Sequence, residues 1–170
     1  TQATYLLSQK LQTTAPLSGN ELAQLARKGS GSSIRSFFSP WCIWRDQDVF
    51  TTGENWPSFQ HKVLLLEKKH KTISSSEAHM RVMSSPNIKD RAHRAEMRLN
   101  NLIQALNTQN WHDIYQICKD EFLDMHELFH TSNPSFSYMH PICHDIIALT
   151  GEHSQSGHQI ILTMDAGANM

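Results

Sequence analysis

The stretch from Ala26 to Ser36, Ala-Arg-Lys-Gly-Ser-Gly-Ser-Ser-Ile-Arg-Ser, constrains this chain more than any other. It puts a helix end, a flexible Ser/Gly loop and an arginine within eleven positions. A loop of this kind offers backbone N–H groups and hydroxyls to an anion, with a guanidinium fixed beside it. Taken alone, Ser30, Gly31 and Ser32 would read as a helix C-terminal loop, and Arg35 as one half of a surface ion pair.

The residues on either side place this loop between a helix and a strand. Ser18-Gly19-Asn20-Glu21 is a capping box, and it opens a helix with Leu22 and Leu25 on its apolar side that ends at Gly29. A shorter amphipathic helix is expected over Ala3 to Leu11, broken by Pro16. Phe37 to Trp44 reads as an edge or bulged strand because of Pro40, and Asp46 to Pro57 as a polar connection at a domain boundary. His61 to Lys69 reads as the clearest strand, with Val63 to Leu66 as its buried core.

The second half is mainly helical. Ser74-Ser75-Ser76-Glu77 caps a helix to about Met83. Ser85-Pro86 opens a long helix through Asn107, with Ala95, Leu99, Leu102, Ile103 and Leu106 inward. Trp111 to His130 forms another, with Ile114, Ile117, Cys118, Phe122 and Met125 on one face. Pro141 to Thr150 is expected to be a helix closed at Gly151, and His158 to Met164 a strand entering the turn at Asp165-Ala166-Gly167. This order of strand, helices and strand implies an α+β layer.

Composition removes several classes of function. The 170 residues hold 15 basic and 16 acidic side chains, a balance with no electrostatic footprint for nucleic acid or an anionic membrane. No apolar run approaches a membrane span. Three scattered cysteines, Cys42, Cys118 and Cys143, favour reduced thiols in a cytoplasmic protein over a disulfide framework. Both termini read as cut, so an internal fragment of a longer protein is expected.

Two motifs compete to carry the chemistry. His126-Glu127-Leu128-Phe129-His130 fits H-E-x-x-H, which on a helix sets two imidazoles one turn apart for zinc with the glutamate as base, as in a metallopeptidase. His140 or His144 could be offered as a third ligand, although no extended third-ligand signature follows. The other motif is Thr163-Met164-Asp165-Ala166-Gly167-Ala168-Asn169, whose plain reading is an Asx turn ending a strand. The basic run Lys68-Lys69-His70-Lys71 reads as a solvated edge. A helical interaction module over residues 86 to 130 is a third reading, though such stripes are core by default.

Four segments in order carry a resemblance. Ala26 to Ser36 is similar to an ARxGSGSxxRS signature, and Lys71 to Ser76 to a Ser/Thr-rich turn before a helix containing Met80. Phe136 to Met139 resembles FxYM, and Thr163 to Asn169 resembles TxDAGPN. Together the four resemble the diphosphomevalonate decarboxylase family, in the galactokinase, homoserine kinase, mevalonate kinase and phosphomevalonate kinase superfamily.

The resemblance implies a two-lobed small-molecule-kinase-like fold. Residues 1–56 would end a ribosomal S5-like N-terminal lobe, and residues 57–170 would form most of a ferredoxin-like C-terminal lobe. It also implies ATP- and Mg2+-dependent decarboxylation of mevalonate 5-diphosphate to isopentenyl diphosphate, by a cytoplasmic homodimer. Asp165 would sit at the C3 hydroxyl and Arg35 on the substrate carboxylate. Ser30, Gly31 and Ser32 would meet phosphate oxygens, and Ser74 or Ser75 the diphosphate. No metal ligand is expected in this chain. The family's lysine and ATP loop would lie upstream of Thr1, leaving the fragment inactive alone. Ala168 replaces the family's proline, and Ser39-Pro40 its Gly-Gly pair. Related branches decarboxylate the monophosphate or only phosphorylate the 3-hydroxyl; having both Asp165 and Arg35 favours decarboxylation.

Overall fold

The computed structural model describes residues 17–45, 48–53, 55–68 and 71–170. The helix expected over Ala3 to Leu11 lies outside them. The chain divides into two compact units, Thr1–Trp56 and Pro57–Met170.

In the first unit, helix α1 (Gly19–Arg27) starts from the expected capping box. Ser18 Oγ accepts from the Glu21 N–H at 3.3 Å, and the Glu21 carboxylate accepts from the Ser18 N–H at 2.8 Å. Two orphan donors are thereby satisfied without help from the rest of the fold. The segment expected as a flexible Ser/Gly loop is instead a 3-10 helix, Gly31–Phe37, with Ile34 fully buried beneath it. One apolar side chain every third or fourth residue gives such a turn something to pack on.

Strand β1 (Trp41–Arg45) begins only after Pro40, four residues later than expected, because the 3-10 helix takes Phe37. It pairs antiparallel with β2 (Asp48–Thr52), in the register Trp41↔Thr52, Ile43↔Phe50 and Arg45↔Asp48. The polar connection expected over Asp46 to Pro57 therefore contains a strand. Gly53 follows with φ +73°, where a Cβ would stand 2.4 Å from Trp56 and 2.9 Å from Trp41. Only glycine lets these two indoles meet, edge to face at 5.8 Å.

In the second unit, Ser74 caps α2 (Ser75–Arg81) by accepting from the Glu77 N–H at 3.1 Å. The long helix expected from Pro86 is interrupted. A 3-10 turn occupies Pro86–Ile88, and α3 (Arg91–Asn107) starts after it. Helix α4 (Trp111–Thr131) packs along α3, and Arg91, Arg94 and Arg98 share Glu121 and Asp124 across the seam. Burial alone would raise the Asp124 carboxyl, but hydrogen bonds from Arg94 and Arg98 outweigh it and hold it below its ordinary value.

Helix α5 (Ile142–Gln155) runs through Gly151, where the sequence suggested closure. The positive φ falls instead at Gly157, +86°. Tyr115 of α4, fully buried, donates from its hydroxyl to the Ile147 carbonyl at 2.9 Å and binds α5. The core centres on Phe122, Phe129, Tyr138, Cys143, Leu162 and Met164.

Neither strand expected in this unit forms a regular ladder among the described residues. The segments 64–67 and 166–170 run antiparallel, but their rungs are mixed. Leu64 and Met170 exchange backbone hydrogen bonds at 2.7 and 3.3 Å. The Asn169 side-chain oxygen accepts from the Leu66 and Glu67 N–H groups at 2.9 and 3.1 Å. Further along, Lys71 Nζ donates to the Ala166 carbonyl at 2.9 Å. Side chains stand in for backbone, so Val63 and Leu65, 60% and 58% exposed, are not the buried strand core that their apolarity suggested. Over His158 to Met164 the chain keeps the alternation of a strand, with Leu162 and Met164 buried and Thr163 exposed.

Candidate functional site

In the second unit the exposed carboxylate of Asp165 stands where the chain leaves the core after the buried Met164. The Asp165 carbonyl accepts from the Gly167 N–H at 2.7 Å, closing a tight turn. Asp165 Oδ1 accepts from the Ala166 N–H at 3.0 Å. The rest of the carboxylate faces solvent and is available to a ligand.

Ser75 is drawn to this turn by a residue that sequence reasoning had set aside. Lys71 Nζ donates to Ser75 Oγ at 2.7 Å and to the Ala166 carbonyl at 2.9 Å, and lies 5.8 Å from the centre of the Tyr138 ring. An ammonium, a hydroxyl and a carboxylate-bearing turn therefore sit together. The signal was the basic run from Lys68 to Lys71, which gives no hint that Lys71 meets Ser75 and Ala166. Ser74, one position away, has its oxygen occupied by the cap on α2 and keeps its O–H for a further partner.

His126 supports the turn from within. It is 5% exposed, and its Nε2 lies 3.3 Å from the Asp165 carbonyl oxygen. Burial pushes its imidazole below the ordinary value, against the opposing pull of the Asp165 hydrogen bond and charge. His130, the other histidine of H-E-x-x-H, is exposed, as is Glu127. One imidazole is enclosed by aromatic rings and the other faces water, so the two do not make a zinc pair. Among the described residues no three His, Cys, Asp or Glu side chains converge on a possible metal position. Burial, with Glu121 nearby, pushes the Cys118 thiol up to about 11.

In the first unit Ser30, Gly31, Ser32 and Arg35 are all exposed. Ser30 stands before the 3-10 helix with extended backbone and makes no side-chain cap, which keeps its hydroxyl for another acceptor or donor. Ser33 Oγ turns back to the Ser30 carbonyl at 2.7 Å and shapes the bend. The guanidinium of Arg35 lies 5.9 Å from the Trp44 ring centre, and that of Arg27 lies 4.8 Å from it. Trp44 is a second residue that the sequence reading did not single out. Its signal, an aromatic on the strand following the loop, is shared with ordinary core positions.

Helices in both units and a two-stranded antiparallel sheet in the first make this an α+β protein. No helix among the described residues is long and apolar enough to cross a membrane. Residues 62–170 match the model of the mevalonate 5-diphosphate decarboxylase C-terminal domain, and the chain belongs to that family.

A mevalonate diphosphate decarboxylase from Legionella pneumophila is 39% identical with a TM-score of 0.88, over 98% of this chain and 53% of that one. A protein called MDDEF, solved in complex with MVAPP, AMPPCP and magnesium, is 25% identical with a TM-score of 0.76, over 90% of this chain and 50% of its own. The diphosphomevalonate decarboxylase of Danio rerio is 25% identical over 97% of this chain and 44% of its own length. The chain thus spans about half the length of the relatives it matches.

Proposed function

We propose that this chain supplies part of the active site of an ATP-dependent decarboxylase that converts mevalonate 5-diphosphate to isopentenyl diphosphate, CO2, ADP and phosphate. The observation that carries the reading is the Asp165 carboxylate, exposed on a turn whose backbone is tied on two sides. Such a group orients the tertiary C3 hydroxyl and takes its proton as that oxygen is phosphorylated. Loss of phosphate from C3 then leaves positive charge there, and the electron pair of the C–CO2 bond fills it as CO2 departs.

The other residues divide by charge. Arg35 grips the substrate carboxylate through two parallel N–H donors. The hydroxyls of Ser30 and Ser32 and the N–H of Gly31 meet phosphate oxygens. Ser74 and Ser75 meet the substrate diphosphate, and the Lys71 ammonium beside Ser75 adds charge of the right sign. ATP supplies the transferred phosphoryl group, and the exposed, uncapped hydroxyl of Ser30 suits one of its oxygens. Mg2+ is expected to arrive with the nucleotide. No step here passes through the metal. A cytoplasmic homodimer completes the reading.

The test is ATP-dependent CO2 release by the full-length protein containing this chain, offered mevalonate, its 5-phosphate and its 5-diphosphate separately. Release from the diphosphate alone is expected. Release only from the monophosphate would move the protein to the phosphomevalonate branch. ADP without CO2 would make it a mevalonate 3-kinase, and the absence of both products would overturn the reading.

A further inference from the structure

The proposed chemistry leaves the histidine pair of H-E-x-x-H unused. Its inner member, His126, is enclosed by Phe122, Phe129 and Tyr138, whose rings meet it edge to face at 6.3, 5.2 and 6.4 Å. Its Nδ1 is buried with no hydrogen-bond partner, while Nε2 faces the Asp165 carbonyl at 3.3 Å. A carbonyl oxygen can only accept, so this contact needs its proton on Nε2. A second proton on Nδ1 would be an N–H enclosed by aromatic carbon with nothing to receive it. Together these fix one species, the neutral imidazole protonated at Nε2.

That species holds a segment with little stiffness of its own. Ala166-Gly167-Ala168 contains no ring and one glycine, so its backbone has many conformations to choose from. Two consecutive carbonyls in this turn accept from side chains of other segments, Asp165 from His126 and Ala166 from Lys71. The Lys71 contact can be traded for a bound anion, because the lysine is exposed. The His126 contact cannot, because it is buried.

We propose that His126 is a positioning residue: its neutral imidazole donates from Nε2 to the Asp165 carbonyl and so fixes the direction in which the Asp165 carboxylate leaves the turn. This inference rests on the reading of Asp165 as the group that meets the substrate hydroxyl. It gives the buried histidine a role in geometry, with no part in proton transfer.

Two variants of the full-length protein containing this chain separate donor from packing. His126→Phe keeps a ring in the aromatic cluster and removes the donor. His126→Gln returns an N–H at the reach of Nε2. The first is expected to lower kcat about 10- to 100-fold, with KM and Tm near the parent, since small misplacements of a reacting group cost on that scale. The second is expected to recover most of the rate.

Nitrogen-15 NMR of the labelled imidazole should show Nε2 protonated and Nδ1 bare at neutral pH. A His126→Phe protein turning over at the parental rate, or an Nδ1–H tautomer, would overturn the proposal. So would a parallel loss of Tm and kcat in both variants, which would mark a purely structural residue. An Asp165→Asn control separates the two readings. Full activity there would sink the role given to Asp165, while the tautomer measurement would still decide whether the tether exists.

Discussion

Ile34, directly before Arg35, is fully buried, and Met164, directly before Asp165, is 3% exposed. Each candidate charge is thus launched into solvent by a neighbour locked in the core. Beyond that shared base the two places diverge. The Asp165 backbone is held by side chains from α4 and from the segment ahead of α2, so the short carboxylate has few places to go. Arg35 sits on a short 3-10 helix, and its long side chain is steadied by stacking near the Trp44 indole. The Asp165 carboxylate, proposed to meet one hydroxyl, is positioned through its main chain. The Arg35 guanidinium, proposed to grip a carboxylate, is positioned through its side chain. Asp165 is thus tied through its backbone, and Arg35 is steadied only through its side chain.

Substitutions at the two places can break that contrast. Asp165→Asn in the full-length protein should lower kcat by about 10²- to 10⁴-fold, the usual worth of a positioned acid or base, with Tm unchanged. Parental turnover would remove the rigid half of the comparison. Trp44→Leu should act more gently, raising KM for the substrate a few-fold and leaving kcat near normal, as loss of an exposed cation–π contact predicts. A large fall in kcat would show that Arg35 needs the same rigidity as Asp165.

The smallest effect concerns pH. The His126 value is depressed by folding, so below its unfolded value of about 6.5 the unfolded chain binds more protons. Its contribution to stability is complete above that pH and shrinks as the pH falls further. Denaturant midpoints at about pH 7.5 and about pH 5.5 should therefore differ more in the parent than in His126→Gln. Equal differences would mean that His126 carries no such load.

The sequence disclosed whatever is decided locally. Ser18 with Glu21 and Ser74 with Glu77 begin helices through atoms three residues apart, so spacing alone reveals them. The amphipathic span from Trp111 needed only its own apolar stripe. The failures involve distant partners. Asp48 to Thr52 is polar enough to pass for a loop and becomes a strand only because β1 lies beside it. Gly151 resembles a helix terminator, yet Tyr115 and the Ile147 carbonyl carry α5 past it.

The candidate site divides along the same line. Asp165, Arg35 and the serines could be named from motif, whereas Lys71, Trp44 and His126 acquire meaning only from what folding sets beside them. For His126 the motif itself misled, because H-E-x-x-H records that two histidines share a helix and says nothing of which one is enclosed.

The mixed rungs that join Leu64, Leu66, Glu67 and Lys71 to segment 166–170 have a consequence for how this region tolerates change in length. Surface connections ordinarily accept insertions and deletions with little penalty. Here Leu64 meets Met170, Leu66 and Glu67 meet Asn169, and Lys71 meets Ala166, each by a different kind of group. In a regular ladder a slipped chain can pair again one step along, since every step offers the same donor and acceptor. A ribbon whose rungs are an amide pair, an asparagine and a lysine has no equivalent second alignment. Adding or removing one residue after Glu67 would part the ammonium from its carbonyl while leaving the first rungs intact. Apart from Lys71, the exposed residues of this stretch should therefore tolerate changes of side chain but hardly any change of length.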